Sequence, residues 1–184
     1  MILVKSALVL MSSFILSLIL GFLIIPILKD RANQRLSVYL EVKHKNKNKT
    51  PTMGGIIFIL PTLLIILLLL ILNKIEMNYS LLIVLFTFIS YSIIGFIDDY
   101  LIIKRNNNKG LTENQKFLMQ LFVSIIFFYL FIKSGNEPLL WIHTINLRLD
   151  IGYFYGLFIL FVLVASSNAV NLTDGLDGLA GGLS

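Results

Sequence analysis

The chain has 184 residues, of which 57% are hydrophobic and only 14% charged, with a formal net charge of +5 and a mean hydropathy of +0.88. This balance excludes an ordinary water-soluble domain and indicates an integral membrane protein. The absence of cysteine excludes structural disulfides and thiolate metal sites. The basic residues are divided by apolar runs and lack interleaved aromatic residues, so we expect no nucleic-acid partner.

Five uncharged runs match, or nearly match, the about 17–25 apolar residues that a membrane-spanning helix requires. They cover residues 6–28, 53–72, 81–97, 117–132 and 151–172. The fourth run is short, but Lys116 and Lys133 at its ends can extend outward toward water. None of the runs alternates in polarity as a transmembrane strand would. The sequence therefore predicts an all-α polytopic membrane protein, with one transmembrane domain over residues 1–184. Five helices span the membrane, and a sixth begins at the end of the chain.

Positive charge is distributed unevenly among the segments that connect these runs. Of the 15 Lys and Arg residues, 11 lie either between the first and second runs or between the third and fourth runs. The others are Lys5, Lys74, Lys133 and Arg148. Cytoplasmic loops of membrane proteins carry an excess of Lys and Arg. The charge pattern therefore predicts that both basic segments, and the residues after the fifth run, are cytoplasmic. The N-terminus is then outside.

The first basic segment ends at residues 44–55, where lysines are combined with hydroxyl side chains directly before the second run. Lys47 and Thr52 belong to this stretch. A cationic loop with hydroxyl groups above a helix N-terminus suits a phosphate. A charge run alone is more often a solvated loop that faces lipid headgroups, and that alternative stays open.

Two adjacent carboxylates, Asp98 and Asp99, follow the third run. Neighbouring residues of a helix point about 100° apart, so the two acids cannot face one ligand equally. Two acids at one helix end repel each other unless a cation or a lysine offsets their charge. A solvated helix end is the alternative to a site. The predicted topology favours a site, because it brings these acids to the same membrane face as the residues after the fifth run.

A polar string of unusual regularity ends the fifth run. Its side chains recur at three-residue intervals: Asn168, Asn171, Asp174 and Asp177. Oxygen ligands suit hard cations, and glycines such as Gly175 allow close backbone approach, so the string is typical of a metal–phosphate site. Steps of three residues drift about 60° each around an α-helix, which spreads four positions over half its circumference. We therefore expect the helix to break near residues 174–175.

These motifs resemble those of a known enzyme family. The stretches Thr50-Pro51-Thr52-Met53-Gly54-Gly55, Asp98-Asp99-Tyr100, Lys109-Gly110-Leu111 and residues 168–180 are similar to motifs of the bacterial phospho-N-acetylmuramoyl-pentapeptide transferases. That family belongs to the polyprenyl-phosphate N-acetylhexosamine-1-phosphate transferase superfamily. The motifs occur in the family's order and extend over the whole chain. Residues 50–55 favour the peptidoglycan branch over relatives that use UDP-N-acetylglucosamine.

The resemblance implies a reaction at the cytoplasmic face of the bacterial cytoplasmic membrane. Phospho-MurNAc-pentapeptide is transferred from UDP-MurNAc-pentapeptide to undecaprenyl phosphate, which gives lipid I and UMP for cell-wall peptidoglycan synthesis. It also implies Mg²⁺ as cofactor and contact with membrane lipid, and it is compatible with a homodimer.

The resemblance also assigns roles to particular residues. Asp98, Asp99 and Asp174 are the implied catalytic residues, with Asp98 deprotonating or orienting the lipid phosphate. Asn171 and Asp174 are the implied metal ligands. The substrate-binding residues are Lys47, Thr52, Lys109, Lys116, Asn168, Asn171, Gly175, Leu176 and Asp177.

The chain departs from the family pattern in its first loop and in its length. Lys49 replaces the glycine that usually precedes Thr50, and Leu40-Glu41 replaces a Gly-Pro pair. The family has about twice as many spans and a further metal ligand beyond residue 184, so the chain resembles an N-terminal fragment that is inactive alone. Two alternatives remain: a superfamily enzyme with another UDP-sugar, and a fragment of a non-enzymatic transporter. The transporter alternative predicts charges in the middle of the spans.

Overall fold

The computed structural model describes residues 2–31, 52–105 and 110–173. Its elements, in chain order, are α1 (Ile2–Arg31), α2 (Ile56–Ile71), α3 (Tyr79–Arg105), α4 (Glu113–Lys133), β1 (Leu139–Ile142), β2 (Leu147–Asp150) and α5 (Phe154–Thr173). A single 3₁₀ turn, His143–Ile145, joins the two strands. The described part of the chain is therefore mostly helical.

Four of the helices are long and apolar enough to cross a membrane. The qualifying segments are Ser6–Asp30, Tyr79–Arg105, Glu113–Lys133 and Phe154–Asn171, and the apolar helix α2 is shorter. Large apolar side chains on these helices are exposed, among them Phe22 and Phe161. Exposed apolar side chains of this kind fit a lipid environment. These helices are compatible with the predicted polytopic membrane protein. The number of spans and the outside N-terminus stay predictions, and the start of a sixth span lies outside the described residues.

The helices differ from the apolar runs mainly at their ends. Helix α3 continues from the expected end at residue 97 to Arg105. Asp98 and Asp99 therefore lie inside a regular helix. Helix α2 begins at Ile56, so Met53 and both following glycines precede it. Hydropathy measures what a bilayer accepts, whereas helix bounds depend on backbone hydrogen bonds, which can continue into water.

The described chain falls into two compact units. The first comprises Met1–Met77 and Ser92–Thr112. In it, α1 packs against α2, where an ideal Cβ on Gly21 would lie 3.5 Å from Ile57 Cγ2. Helix α2 ends in a paired cap: Asn73, at φ 51°, donates its N–H to the carbonyl of Leu70, and Lys74 donates to that of Leu69. This Schellman arrangement satisfies the last carbonyl groups of the helix.

The second unit comprises Asn78–Tyr91 and Glu113–Ser184. Helices α4 and α5 pack closely in it, and an ideal Cβ on Gly156 would lie 3.1 Å from Phe128 Cδ1. A larger residue at position 156 would therefore require the Phe128 ring to shift by a few tenths of an ångström. Asn78 caps α3, because its Oδ1 accepts the backbone N–H of Leu81 at 2.8 Å.

One local feature departs from the expected all-α fold. Strands β1 and β2 form an antiparallel hairpin in which Leu139 pairs with Asp150 and Ile142 with Leu147. The guanidinium of Arg148 stacks over the Trp141 ring at 4.3 Å from its centre. Such a cross-strand cation–π pair stabilises a short hairpin. The apolar-run criterion did not reveal this hairpin because it lies between two runs.

Candidate functional site

Asp99 holds the turn that precedes helix α2. Its Oδ2 accepts the backbone N–H of Met53 at 2.8 Å, across 46 residues of sequence. Met53 has a φ of 65°, a left-handed conformation that is uncommon for a residue with a side chain. Its carbonyl oxygen in turn accepts the N–H of Ile56, the first residue of α2. The carboxylate therefore stabilises a strained turn at the entrance of the helix, and such strain is concentrated at functional sites.

Asp98 makes a corresponding contact on the other side. Its Oδ1 accepts the backbone N–H of Leu111 at 2.7 Å. The same segment is held by Arg105, whose Nη1 donates to the carbonyl oxygen of Gly110 at 3.0 Å. Adjacent helical residues point about 100° apart, and the two carboxylates accordingly bind different segments of the chain. Both are half-buried.

The turn at Met53 also positions a predicted substrate-binding residue. Thr52 directly precedes Met53 and is half-buried. In the same unit, Gly110 and Leu111 follow the predicted phosphate partner Lys109. Lys47 and Lys109 themselves lie outside the described residues.

A buried polar cluster lies between α4 and α5 in the second unit. Gln120 is only 1% exposed. Its Nε2 donates to Ser167 Oγ at 3.3 Å, and its Oε1 accepts from Asn168 Nδ2 at 3.4 Å. Burying an amide is costly without hydrogen bonds, and these contacts reduce that cost. Asn168, a predicted substrate-binding residue, is thus half-buried and directed at the neighbouring helix.

Asn168 has a second anchor within its own helix. Its Nδ2 also donates to the carbonyl oxygen of Val164 at 2.9 Å. Asn171 is exposed at the end of α5, where the hydroxyl of Thr173 donates back to the carbonyl of Val170.

Lys116 is half-buried in the first turns of α4.

The last part of the polar string lies outside the described residues. This applies to the proposed helix break and to Asp174, Gly175, Leu176 and Asp177. Within the described ranges, no group of three or more His, Cys, Asp or Glu side chains could hold a metal ion. Of the predicted ligand pair, the described residue Asn171 fits a hard cation in type, because its side-chain amide offers an oxygen ligand.

Gln120 is a residue that the sequence reasoning missed. A signal for it existed, since it is an amide in the apolar run at residues 117–132. Polar residues within such runs are expensive and tend to face the interior of a helix bundle. The runs were defined by the absence of charge, and glutamine is uncharged.

Comparison with known proteins identifies the family. The profile of glycosyl transferase family 4 matches residues 81–184, and the first signature of the phospho-N-acetylmuramoyl-pentapeptide-transferases matches residues 47–59. The chain is 41% identical over 178 residues to the phospho-N-acetylmuramoyl-pentapeptide-transferase of Staphylococcus aureus, covering 92% of this chain and 55% of that protein. It is 51% identical over 140 residues to the enzyme of that name from Rickettsia prowazekii, covering 74% of this chain and 38% of the relative.

A third relative extends the same comparison. The protein of that name from Oceanobacillus iheyensis is 34% identical over 172 residues, covering 92% of this chain and 52% of the relative. The chain thus spans about half the length of the relatives from Oceanobacillus iheyensis and Staphylococcus aureus. The Asp98–Asp99 pair lies in the part matched by the family profile, and Met53 lies in the part matched by the signature. The chain belongs to glycosyl transferase family 4, a family of phospho-sugar transferases, and it carries the signature of the phospho-N-acetylmuramoyl-pentapeptide-transferases.

Proposed function

We propose that this chain forms part of an enzyme that transfers phospho-MurNAc-pentapeptide from its UDP carrier to undecaprenyl phosphate. The products are lipid I and UMP, and the reaction serves peptidoglycan synthesis. Support comes from the signature at residues 47–59 and from the names of the relatives. The apolar helices support a location in the bacterial cytoplasmic membrane.

The hydrogen bond from Met53 to Asp99 carries this proposal. It links the signature segment to the acid pair of the family profile by one contact of 2.8 Å. An enzyme that acts on a charged phosphoryl donor needs its binding loop and its acids in a fixed relation, because most of the rate comes from positioning and electrostatics. An anchor between the two segments meets this need, and the left-handed Met53 shows that the turn is held against its intrinsic preference.

The two acids have different proposed roles. Asp98 deprotonates or orients the phosphate of the lipid acceptor, which attacks the pyrophosphate of the donor. Asp99 holds the turn that carries Thr52, a residue proposed to lie near the nucleoside together with Lys47. Lys109 and Lys116 are proposed to neutralise phosphate charge, which a cationic side chain does at any orientation of its ammonium group.

The polar string has proposed roles at the donor. Asn171 and Asp174 would hold Mg²⁺, which when bound offsets the charge that develops on the pyrophosphate. Asp177, with Gly175 and Leu176, would recognise the uracil. Asn168 contributes from the start of the string, where its amide is already held by Gln120 and by the carbonyl of Val164.

The choice of donor is tested with the protein at its full natural length. Purified protein is incubated with undecaprenyl phosphate, Mg²⁺ and either UDP-MurNAc-pentapeptide or UDP-N-acetylglucosamine, and UMP release is measured. We expect UMP only from the first donor. Release from UDP-N-acetylglucosamine alone would assign the chain to another branch of the superfamily, and release from neither donor would contradict the transferase proposal.

The proposed catalytic face is cytoplasmic, as the distribution of Lys and Arg suggests. A transporter would instead place charges near the middle of its spans. Asp98 and Asp99 lie in the last turns of α3, and Lys104 and Arg105 lie in its final turn. This position at a helix end is the feature that favours an enzyme working at the membrane surface.

A further inference from the structure

Residues 110 and 111 contact the side chains of two residues of α3, Asp98 and Arg105. Leu111 donates its N–H to Asp98 Oδ1 at 2.7 Å, and Arg105 donates to the carbonyl of Gly110 at 3.0 Å. We call residues 110 and 111 the 110–111 clip. Helix α3 therefore holds the clip at two points, one of which is the proposed catalytic carboxylate.

Gly110 lies so close to Asp98 that the clip has no room for a side chain. An ideal Cβ on Gly110 would overlap Asp98 Oδ1. It would also lie 2.9 Å from Asp98 Cγ and 3.0 Å from the carbonyl oxygen of Asp98. Non-bonded heavy atoms attract best at about 3.5–4.0 Å, and these distances are well inside that range. Any larger residue at position 110 must displace either Asp98 or the clip.

We infer that Gly110 is a positioning residue that fixes the orientation of the Asp98 carboxylate. The missing Cβ lets the clip close on Asp98, and the N–H of Leu111 then holds one carboxylate oxygen. Rotation of the Asp98 carboxylate about χ2, which is broad for aspartate, would move Oδ1 but would leave Cγ at 2.9 Å and the carbonyl oxygen at 3.0 Å from the new Cβ. Asp98 must therefore change its χ1 rotamer, or the clip must withdraw with its N–H. Both responses move the carboxylate relative to a bound phosphate.

The inference rests on the proposed role of Asp98 and extends it to a residue that acts only through Asp98. Its test is Gly110→Ala in the full-length protein, with turnover of UDP-MurNAc-pentapeptide as the readout. We expect kcat to fall by about 10²-fold, which is the cost of misplacing a reacting group by about 1 Å. The KM for the UDP donor should change less than kcat, because Asp98 is proposed to act on the lipid acceptor and not on the donor.

Gly95→Ala is the matched control. Gly95 lies on α3, three residues before Asp98, and is exposed. An ideal Cβ on Gly95 meets no atom within 4 Å among the described residues. We expect this variant to keep the wild-type kcat. A loss equal to that of Gly110→Ala would mean that α3 tolerates no added methyl group, and would overturn the inference.

A double-mutant cycle separates positioning from general damage. If Gly110 acts through Asp98, then adding Gly110→Ala to Asp98→Asn should slow the enzyme no further, since coupled residues are not additive. Multiplied losses would overturn the inference. A slow Asp98→Asn with a normal Gly110→Ala would overturn it too, while leaving the proposed function standing. A normal Asp98→Asn would remove the catalytic role of Asp98 and the inference with it.

Arg105→Gln tests the clip without adding atoms, which matters if Gly110→Ala fails to fold. It removes the charged donor from the Gly110 carbonyl at the exposed end of the clip. We expect a smaller loss of kcat, about fivefold, as for one net hydrogen bond. The loss should again disappear in the Asp98→Asn background. A wild-type kcat in Arg105→Gln would contradict a role for the clip.

Discussion

The buried amide of Gln120 offers a quantitative test of how α4 and α5 are held together. Gln120→Leu keeps roughly the volume of the side chain but removes both its donor and its acceptor. Ser167 and Asn168 then each lose a partner on the facing helix. Gln120→Ala removes the same groups and also leaves a cavity.

The expected magnitudes follow from the geometry. The two bonds measure 3.3 and 3.4 Å, beyond the usual N–H···O range of about 2.7–3.2 Å, so each is weak. Interhelical hydrogen bonds in membranes contribute about 0.6 kcal/mol on average. Ser167 also loses its Gln120 partner, which adds a desolvation cost to the lost hydrogen bonds. Gln120→Leu should therefore lower the free energy of unfolding by about 1–2 kcal/mol. Gln120→Ala should lower it by about 2–5 kcal/mol, since a cavity is added.

The assay is equilibrium unfolding of the purified full-length protein in mixed detergent micelles. Leu118→Ala serves as the control, because Leu118 lies on the same helix but is 60% exposed. Its effect should stay within about 0.5 kcal/mol, as for other surface positions. Wild-type stability of Gln120→Leu would refute the claim that the polar cluster stabilises the helix pair. So would equal losses in Gln120→Ala and Leu118→Ala.

Two further predictions concern Asp99 and the topology. Asp99→Asn keeps an oxygen that can accept the Met53 N–H, whereas Asp99→Leu does not, so we expect the KM for UDP-MurNAc-pentapeptide to rise more in the leucine variant. Equal KM values would show that Asp99 does not act by holding the Met53 turn. A cysteine introduced at Asn107 should be labelled by an impermeant maleimide only from the cytoplasm. A cysteine introduced at Asn136 should be labelled only from outside. Labelling of both from one side would contradict the predicted orientation.

The helices could be predicted from sequence because a bilayer imposes a simple rule. A segment that crosses it must be apolar for about 20 residues and must satisfy its own backbone hydrogen bonds. The rule says nothing about residues outside the apolar runs. The continuation of α3 to Arg105 and the hairpin of β1 and β2 lie there, where hydrogen bonding and side-chain pairing decide the structure.

The candidate site was predictable in its residue types but not in its contacts. The adjacent acids of α3 and the polar string of α5 stand out as costly groups next to apolar runs. Their partners do not, because Met53 and Leu111 bind through backbone N–H groups, which every residue except proline possesses. Gly110 is a similar case, since only its distance from Asp98 reveals why a glycine is needed there.

The acid pair of α3 is proposed to serve a phosphoryl transfer. The most direct test of this role is UMP release by wild-type and Asp98→Asn full-length protein, with UDP-MurNAc-pentapeptide, undecaprenyl phosphate and Mg²⁺ at saturating concentrations. Asparagine has nearly the same shape and can still accept the Leu111 N–H, so the fold should persist. We predict a loss of kcat of about 10²–10³-fold, the usual effect of removing one well-placed electrostatic group. A folded Asp98→Asn protein with wild-type kcat would contradict the account.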